Sequence, residues 1–243
     1  MCHDDDSRPP SPPVVGEVAS HGLVTLTAAD GNEFAAYQAV PAGPNSRNVV
    51  ILPDVRGLHP YYEALAVRFA EAGFHAVAFD YFGRSQGVGR RADGFDWQSE
   101  IGKLTPEMFV HDARAAAQHV RSLNGGPTFS VGFCMGGSHS WRMSATDIGF
   151  AGCIGFYGRP SLVADVEDAM RTPLLLLVGG ADAATPLAEF EAFDARLTER
   201  GLDHEMYVYD GAPHSFFDRA FAEWKPACDD AWRRIIAFTD RLG

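Results

Sequence analysis

The stretch TFSVGFCMGG, Thr128 to Gly137, decides how this chain folds. Its first half is apolar and β-branched, the mark of a short buried strand, and from Met135 onward the pattern turns helical, so Cys134 falls on a strand-to-helix turn. A turn sharp enough to present one side chain bare has no room for side chains two residues to either side, and Gly132 and Gly136 occupy those places. The spacing therefore predicts a nucleophile elbow with Cys134 as the attacking group. A thiolate is nucleophilic in its own right, and the start of a helix favours the anion.

Outward from this turn the chain alternates. Before it come two apolar runs, Leu23 to Thr27 and Phe34 to Val40, around the turn Ala29-Asp30-Gly31-Asn32, which predicts an antiparallel hairpin. Then follow a buried-type strand at Asn48 to Pro53, a helix carrying Tyr62, Leu65, Phe69 and Ala72, and a strand at Phe74 to Asp80. Residues 81–104 are rich in Gly, Arg and Ser, lack apolar periodicity and are long for a connection, which predicts a loop roofing a pocket. Thr105-Pro106-Glu107 opens a helix with Phe109, Ala113, Ala116, Val120 and Leu123 on one stripe.

Beyond the elbow the expected elements are a helix to about Thr146, a strand at Phe150 to Phe156, a short helix around Leu162 to Met170 and a strand at Leu174 to Val178. A helix opened by Thr185-Pro186, a strand at Glu205 to Tyr209 and a closing helix bearing Trp232 and Ile235 complete the chain. The fold class is α/β: a mostly parallel central sheet with helices on both faces, its carboxyl edge holding the site. Residues 1–20, polar and proline-rich, read as an extended or disordered arm, and 21–243 as one domain.

Composition narrows the function. A net charge of −12 argues against a nucleic-acid or anionic-membrane surface. The four cysteines, Cys2, Cys134, Cys153 and Cys228, show no metal-ligand spacing and no disulfide framework, so no metal or other cofactor is expected and a reducing cytoplasm fits. No run of about 18 apolar residues suggests membrane insertion.

A cysteine hydrolase needs a base and an acid that fixes the base, following the nucleophile in the order acid, histidine. Asp182, in GGADAATP just past the Leu174 to Val178 strand, is placed for the acid. Of nine histidines only His204 and His214 come later; His204 opens a strand at the wrong edge, which leaves His214 in DGAPHSFF. A second glycine-flanked serine, Ser85 in Gly83-Arg84-Ser85-Gln86-Gly87, matches G-x-S-x-G but does not lead into a helix and is rejected as a nucleophile.

With GFCMGG, Asp182 and His214, the chain from about Leu23 to its end resembles the dienelactone hydrolase (carboxymethylenebutenolidase) family of α/β-hydrolases. The resemblance implies that Cys134 is the nucleophile, His214 the general base and then acid, and Asp182 the residue that orients the imidazole. It implies an oxyanion hole from the backbone N–H groups of Met135 and Val55, and Asp54 as partner of the resting thiol, where the family usually carries glutamate. Arg84 in DYFGR stands where the family binds the substrate's carboxylate. The second family arginine falls on Asp218, with Arg219 next to it, so the clamp is altered and a carboxylate there would meet a negative group. Arg90 and Arg91 read as solvated loop charges, and Tyr81 and Phe216 as aromatic pocket lining. The expected substrate is a small ester or lactone, handled by a monomer or small homo-oligomer through a thioester; the alternatives are a general carboxylesterase or thioesterase and a non-catalytic ligand binder.

Overall fold

The computed structural model describes residues 7–43, 47–91, 94–218 and 220–243. Among these residues eight strands form one sheet in the order β1-β2-β4-β3-β5-β6-β7-β8. They are β1 (Val18–Thr27), β2 (Glu33–Pro41), β3 (Arg47–Leu52), β4 (Phe74–Phe79), β5 (Thr128–Phe133), β6 (Gly152–Phe156), β7 (Leu174–Gly179) and β8 (His204–Tyr209). β1 and β2 pair antiparallel, as does β2 with β4, and every pair from β4 through β3 to β8 is parallel. The carboxyl ends of β3 to β8 therefore share one edge, and the loops that leave it carry the candidate site.

Among the described residues seven α-helices accompany the strands: α1 (Pro60–Glu71), α2 (Gly83–Gln86), α3 (Trp97–Ile101), α4 (Pro106–Leu123), α5 (Met135–Met143), α6 (Leu187–Glu199) and α7 (Lys225–Leu242). The near-continuous apolar strands are explained by what covers them. Val49, Ile51, Val131 and Phe133 face one core with α1 and α7, while their neighbours Val50 and Leu52 face another with α4, α5 and α6. Alternate residues of one strand thus feed opposite faces, and both faces are apolar because both are covered. No helix among the described residues is long and apolar enough to cross a membrane.

Three expectations need correction. The arm is extended yet anchored before Val18: Pro9, Pro10 and Pro12 are buried, Trp232 donates its indole N–H to the Pro10 carbonyl at 3.1 Å, and β1 begins five residues before Leu23. The segment 160–170 holds no α-helix but two 3₁₀ turns, Pro160–Leu162 and Glu167–Ala169, whose carbonyls are also bound by arginines: Arg142 binds that of Leu162, and Arg200 those of Glu167 and Asp168. The segment 81–104 carries two short helices, α2 and α3, and Ser85 sits inside the single turn of α2.

Arg91, read as a solvated charge, is buried. Its guanidinium makes paired bonds to Asp80 at 2.8–3.2 Å and reaches the Gly87 carbonyl at 2.7 Å, while its N–H bonds the Leu58 carbonyl. This bolts the roof segment to the end of β4. Arg90 pairs with Glu63 at 2.9 Å on the outside.

Candidate active site

At the end of β5 the chain reverses through Cys134, which has φ 54° and ψ −117°, a conformation that costs a side-chain-bearing residue about 1–3 kcal/mol. The neighbours enforce it. A Cβ on Gly132 would lie 1.9 Å from the Gly136 carbonyl oxygen, and one on Gly136 only 2.1 Å from that of Leu52. The Cys134 N–H donates to the Phe156 carbonyl at 3.1 Å and Ser138 N–H to the Cys134 carbonyl at 3.2 Å, fixing the elbow to β6 and starting α5. Cys134 is partly exposed, whereas Cys153 and Cys228 are buried and burial pushes both thiols up to about 12.

Two strands along, Asp182 follows β7 and lies 7% exposed. Its Oδ1 accepts N–H bonds from Ala184 at 2.7 Å and Thr185 at 3.2 Å, which turns Oδ2 toward the next loop. There His214, on the turn after β8, meets Oδ2 with Nδ1 at 2.7 Å. A carboxylate on Nδ1 makes Nδ1 the protonated nitrogen and leaves Nε2 to act as base. Tyr157, at the end of β6, lies with its ring 4.8 Å from the imidazole. Cys134, Tyr157 and His214 line the same cavity of about 370 Å³, within the range of about 300–1,000 Å³ usual for small-molecule sites.

The turn after β3 forms the opposite rim, where Val55 also lines the cavity. Tyr81 donates its hydroxyl to the Pro53 carbonyl at 2.7 Å, the Tyr62 hydroxyl accepts the Asp54 N–H at 2.9 Å, and Asp54 Oδ1 accepts the Arg56 N–H at 2.8 Å. Among the described residues, none of the main-chain bonds shown at the two turns uses the N–H of Val55 or Met135. The first N–H groups of a helix lack intrahelical acceptors, so Met135 N–H is available at the start of α5.

The remaining walls are apolar below the roof, from Ile101, Leu104, Pro106, Phe109 and Leu162. α5 supplies Met135, Ser138, His139 and Arg142. These stand at helical spacing i, i+3, i+4 and i+7, a signal present in the sequence that points one stripe of the elbow helix into the cavity. His139 stacks on Phe109 at 3.7 Å, and burial drives its imidazole down to about 3, with Arg142 adding to the effect. Arg142 is tied to Asp165 by bonds of 2.8 and 2.6 Å, and Arg159, after β6, also lines the cavity. Sequence reasoning missed all three of His139, Arg142 and Arg159.

Three of the four expected substrate contacts lie outside the cavity lining. Arg84 makes paired bonds to Asp112 at 3.1 and 2.7 Å and a third to Asp30 at 2.7 Å, outside the cavity lining. Tyr81 is 1% exposed and braces the β3 turn instead of lining the cavity. Phe216 is fully buried against Tyr209 and Tyr157, rooting the histidine loop in the core. Arg219 lies outside the described residues. Asp218 does not threaten a bound carboxylate as expected: it is fully buried and accepts the Tyr157 hydroxyl at 2.9 Å.

Comparisons with known proteins bear on the family and the fold. A Rhodococcus opacus carboxymethylenebutenolidase is 28% identical over 257 aligned positions, covering 99% of this chain and 97% of its own. Among solved structures, a dienelactone hydrolase-like promiscuous phosphotriesterase from metagenomic libraries superposes with a TM-score of 0.75 at 19% identity, over 92% of this chain and 99% of that one. A Pyrococcus furiosus esterase gives 0.69 at 17% identity, over 97% and 98%; both share the fold. The family profile itself matches residues 34–242, and the chain therefore belongs to the dienelactone hydrolase family, on an α/β-hydrolase fold.

Proposed function

We propose that this protein is a cysteine-dependent hydrolase of small esters or lactones, with Cys134 as nucleophile, His214 as base and acid, and Asp182 as the group that orients the imidazole. The observation that carries the reading is the 2.7 Å Asp182–His214 bond on the rim of the cavity that also holds the strained Cys134 elbow. In this reading the Cys134 thiol gives its proton to His214 as its sulfur attacks the carbonyl carbon, and the oxyanion settles on the Met135 and Val55 amides. As the C–O bond breaks, the leaving oxygen takes a proton from the His214 imidazolium, leaving a thioester on Cys134. A water then loses its proton to His214 as its oxygen attacks the thioester carbon, and the departing thiolate takes that proton back from the imidazolium, which restores the resting thiol.

Asp54, buried beneath the Val55 turn, is assigned to hold the resting thiol; both it and Cys134 contribute to the field that, after burial, raises the Tyr81 hydroxyl well above its usual range. The apolar walls and the cavity volume suit a small acyl or aryl group. Because Arg84 is neutralised by Asp112 and Asp30, carboxylate capture on that flank is not part of the reading.

The test is turnover of p-nitrophenyl butyrate by wild type, Cys134→Ala and Cys134→Ser. Wild type turns over, Cys134→Ala falls to background, and intact-mass analysis of wild type finds the butyryl adduct on the Cys134 peptide. Activity retained in Cys134→Ala would remove the nucleophile from the mechanism, and a wild type inert to neutral esters and lactones alike would favour the ligand-binding alternative.

A further inference from the structure

We infer that Arg159 is the specificity-determining residue of this site and that it receives a carboxylate carried on the leaving-group half of the substrate. The inference rests on the hydrolase reading and names its substrate class: acyl esters of hydroxy acids, released as the free hydroxy acid.

Charge inside the cavity is one-sided. In a chain of net charge −12, the charged side chains among the described lining residues are Arg142 and Arg159, and no carboxylate lines the cavity. Arg142 is already matched by Asp165 and also holds the Leu162 carbonyl. Arg159 is not matched: its exposed guanidinium has one long contact, Nη2 to the Ala184 carbonyl at 3.4 Å, and no ion pair among the described residues. Its main chain is nonetheless fixed, since its N–H donates to Ser138 Oγ at 2.7 Å. A rooted arginine with open donors is suited to bind a carboxylate through two parallel bonds.

Position says which half of the substrate carries that carboxylate. In the order β4-β3-β5-β6-β7-β8, Arg84 follows β4 on one side of the Cys134 strand, while Arg159 follows β6 on the other. That second side is the one that carries Asp182 and His214. Tyr157, two residues before Arg159, flanks the His214 ring, and Ala184, which Arg159 touches, lies two residues past Asp182. His214 must hand its proton to the leaving oxygen, so the leaving group lies on this flank. An anion on the acyl half points away from it.

Three esters separate these cases: 4-(butyryloxy)benzoate, with the carboxylate on the leaving group; its neutral methyl ester; and mono-p-nitrophenyl glutarate, with the carboxylate on the acyl group. Arg159→Gln is expected to lower kcat/KM for 4-(butyryloxy)benzoate about tenfold to a hundredfold, mostly through KM, while the two other esters change less than threefold. Arg159→Lys restores part of the loss, and added salt shrinks the wild-type preference. Equal losses on all three esters, no loss on any, or a loss confined to the glutarate ester overturn the inference. A second readout is independent of turnover: calorimetric titration of 4-(butyryloxy)benzoate into Cys134→Ala, with and without Arg159→Gln. Binding weakened at least tenfold by Arg159→Gln supports the subsite even if the hydrolase reading fails; unchanged binding overturns the subsite while leaving that reading intact.

Discussion

Cys134 occupies a backbone conformation that glycine would adopt more cheaply, and the side chain is kept there because Gly132 and Gly136 let the turn close on itself. The histidine is held with equal care. Asp182 spends one oxygen on the Ala184 and Thr185 amides and so presents the other to His214 in a single orientation. In Asp182→Asn, Oδ1 can still accept the two amides, so the fold survives, but the charge that stabilises the imidazolium is gone and the tautomer is no longer fixed. We expect kcat on p-nitrophenyl butyrate to fall at least about a hundredfold with the melting temperature nearly unchanged; steady-state kinetics beside a thermal melt checks it. A loss of activity that merely tracked unfolding would reduce Asp182 to a turn residue.

Among the elements, the roof segment 81–104 is held to the end of β4 at Arg91. Arg91 pairs with Asp80, whose carboxyl burial pushes up further than the guanidinium brings it down, and ties Gly87 and Leu58 to the same point. Arg91→Ala leaves a buried carboxylate without its cation, a defect that typically costs about 3–5 kcal/mol. Urea denaturation should show that loss, KM should rise as Ile101 and Leu104 loosen over the cavity, and Asp80→Asn added to Arg91→Ala should recover part of the stability. An Arg91→Ala protein as stable as wild type would mean that the pair is not a bolt. This bolt also shows what sequence can reveal. The elbow, the alternation of strands and helices, and the places of Asp182 and His214 on loops at the carboxyl edge were readable because their causes are local: a steric spacing, a periodicity, a loop following a strand. Arg84 and Arg91 were misread because their partners decide their roles, and Asp112 lies 28 residues from Arg84 while Asp80 lies 11 residues before Arg91 at the end of β4. Tyr81 and Phe216 look like pocket aromatics in sequence, yet the Tyr81 hydroxyl is committed to the Pro53 carbonyl and the Phe216 ring to Tyr157, both distant in the chain. Arg142 and His139 could have been found from the helical stripe that starts at Met135; Arg159, on a loop without period, had no such signal.

For the whole molecule, the cavity reaches into the core on the α4–α5 side, and acid stability registers it. His139 lies between Phe109, Arg142 and, through Arg142, Asp165, with its imidazole lowered to about 3 chiefly by burial, from an ordinary value near 6.5. A folded value below the unfolded one means that the unfolded chain binds the proton more readily between those limits, so this residue's contribution is intact above about pH 6.5 and is lost as pH falls toward 3. Within that window each pH unit can remove up to about 1.4 kcal/mol from folding. Other buried carboxyls, including Asp80 and Asp112, have raised values and act in the opposite sense, so the wild-type curve alone does not isolate the histidine. The difference between wild type and His139→Gln does. From pH 8 to pH 4 the wild type should lose stability relative to His139→Gln, and the gap between their denaturation midpoints should stay constant above about pH 7. A gap that does not move across that range would mean the imidazole takes up its proton in place, and the α5 stripe would then present a cation to the cavity in acid.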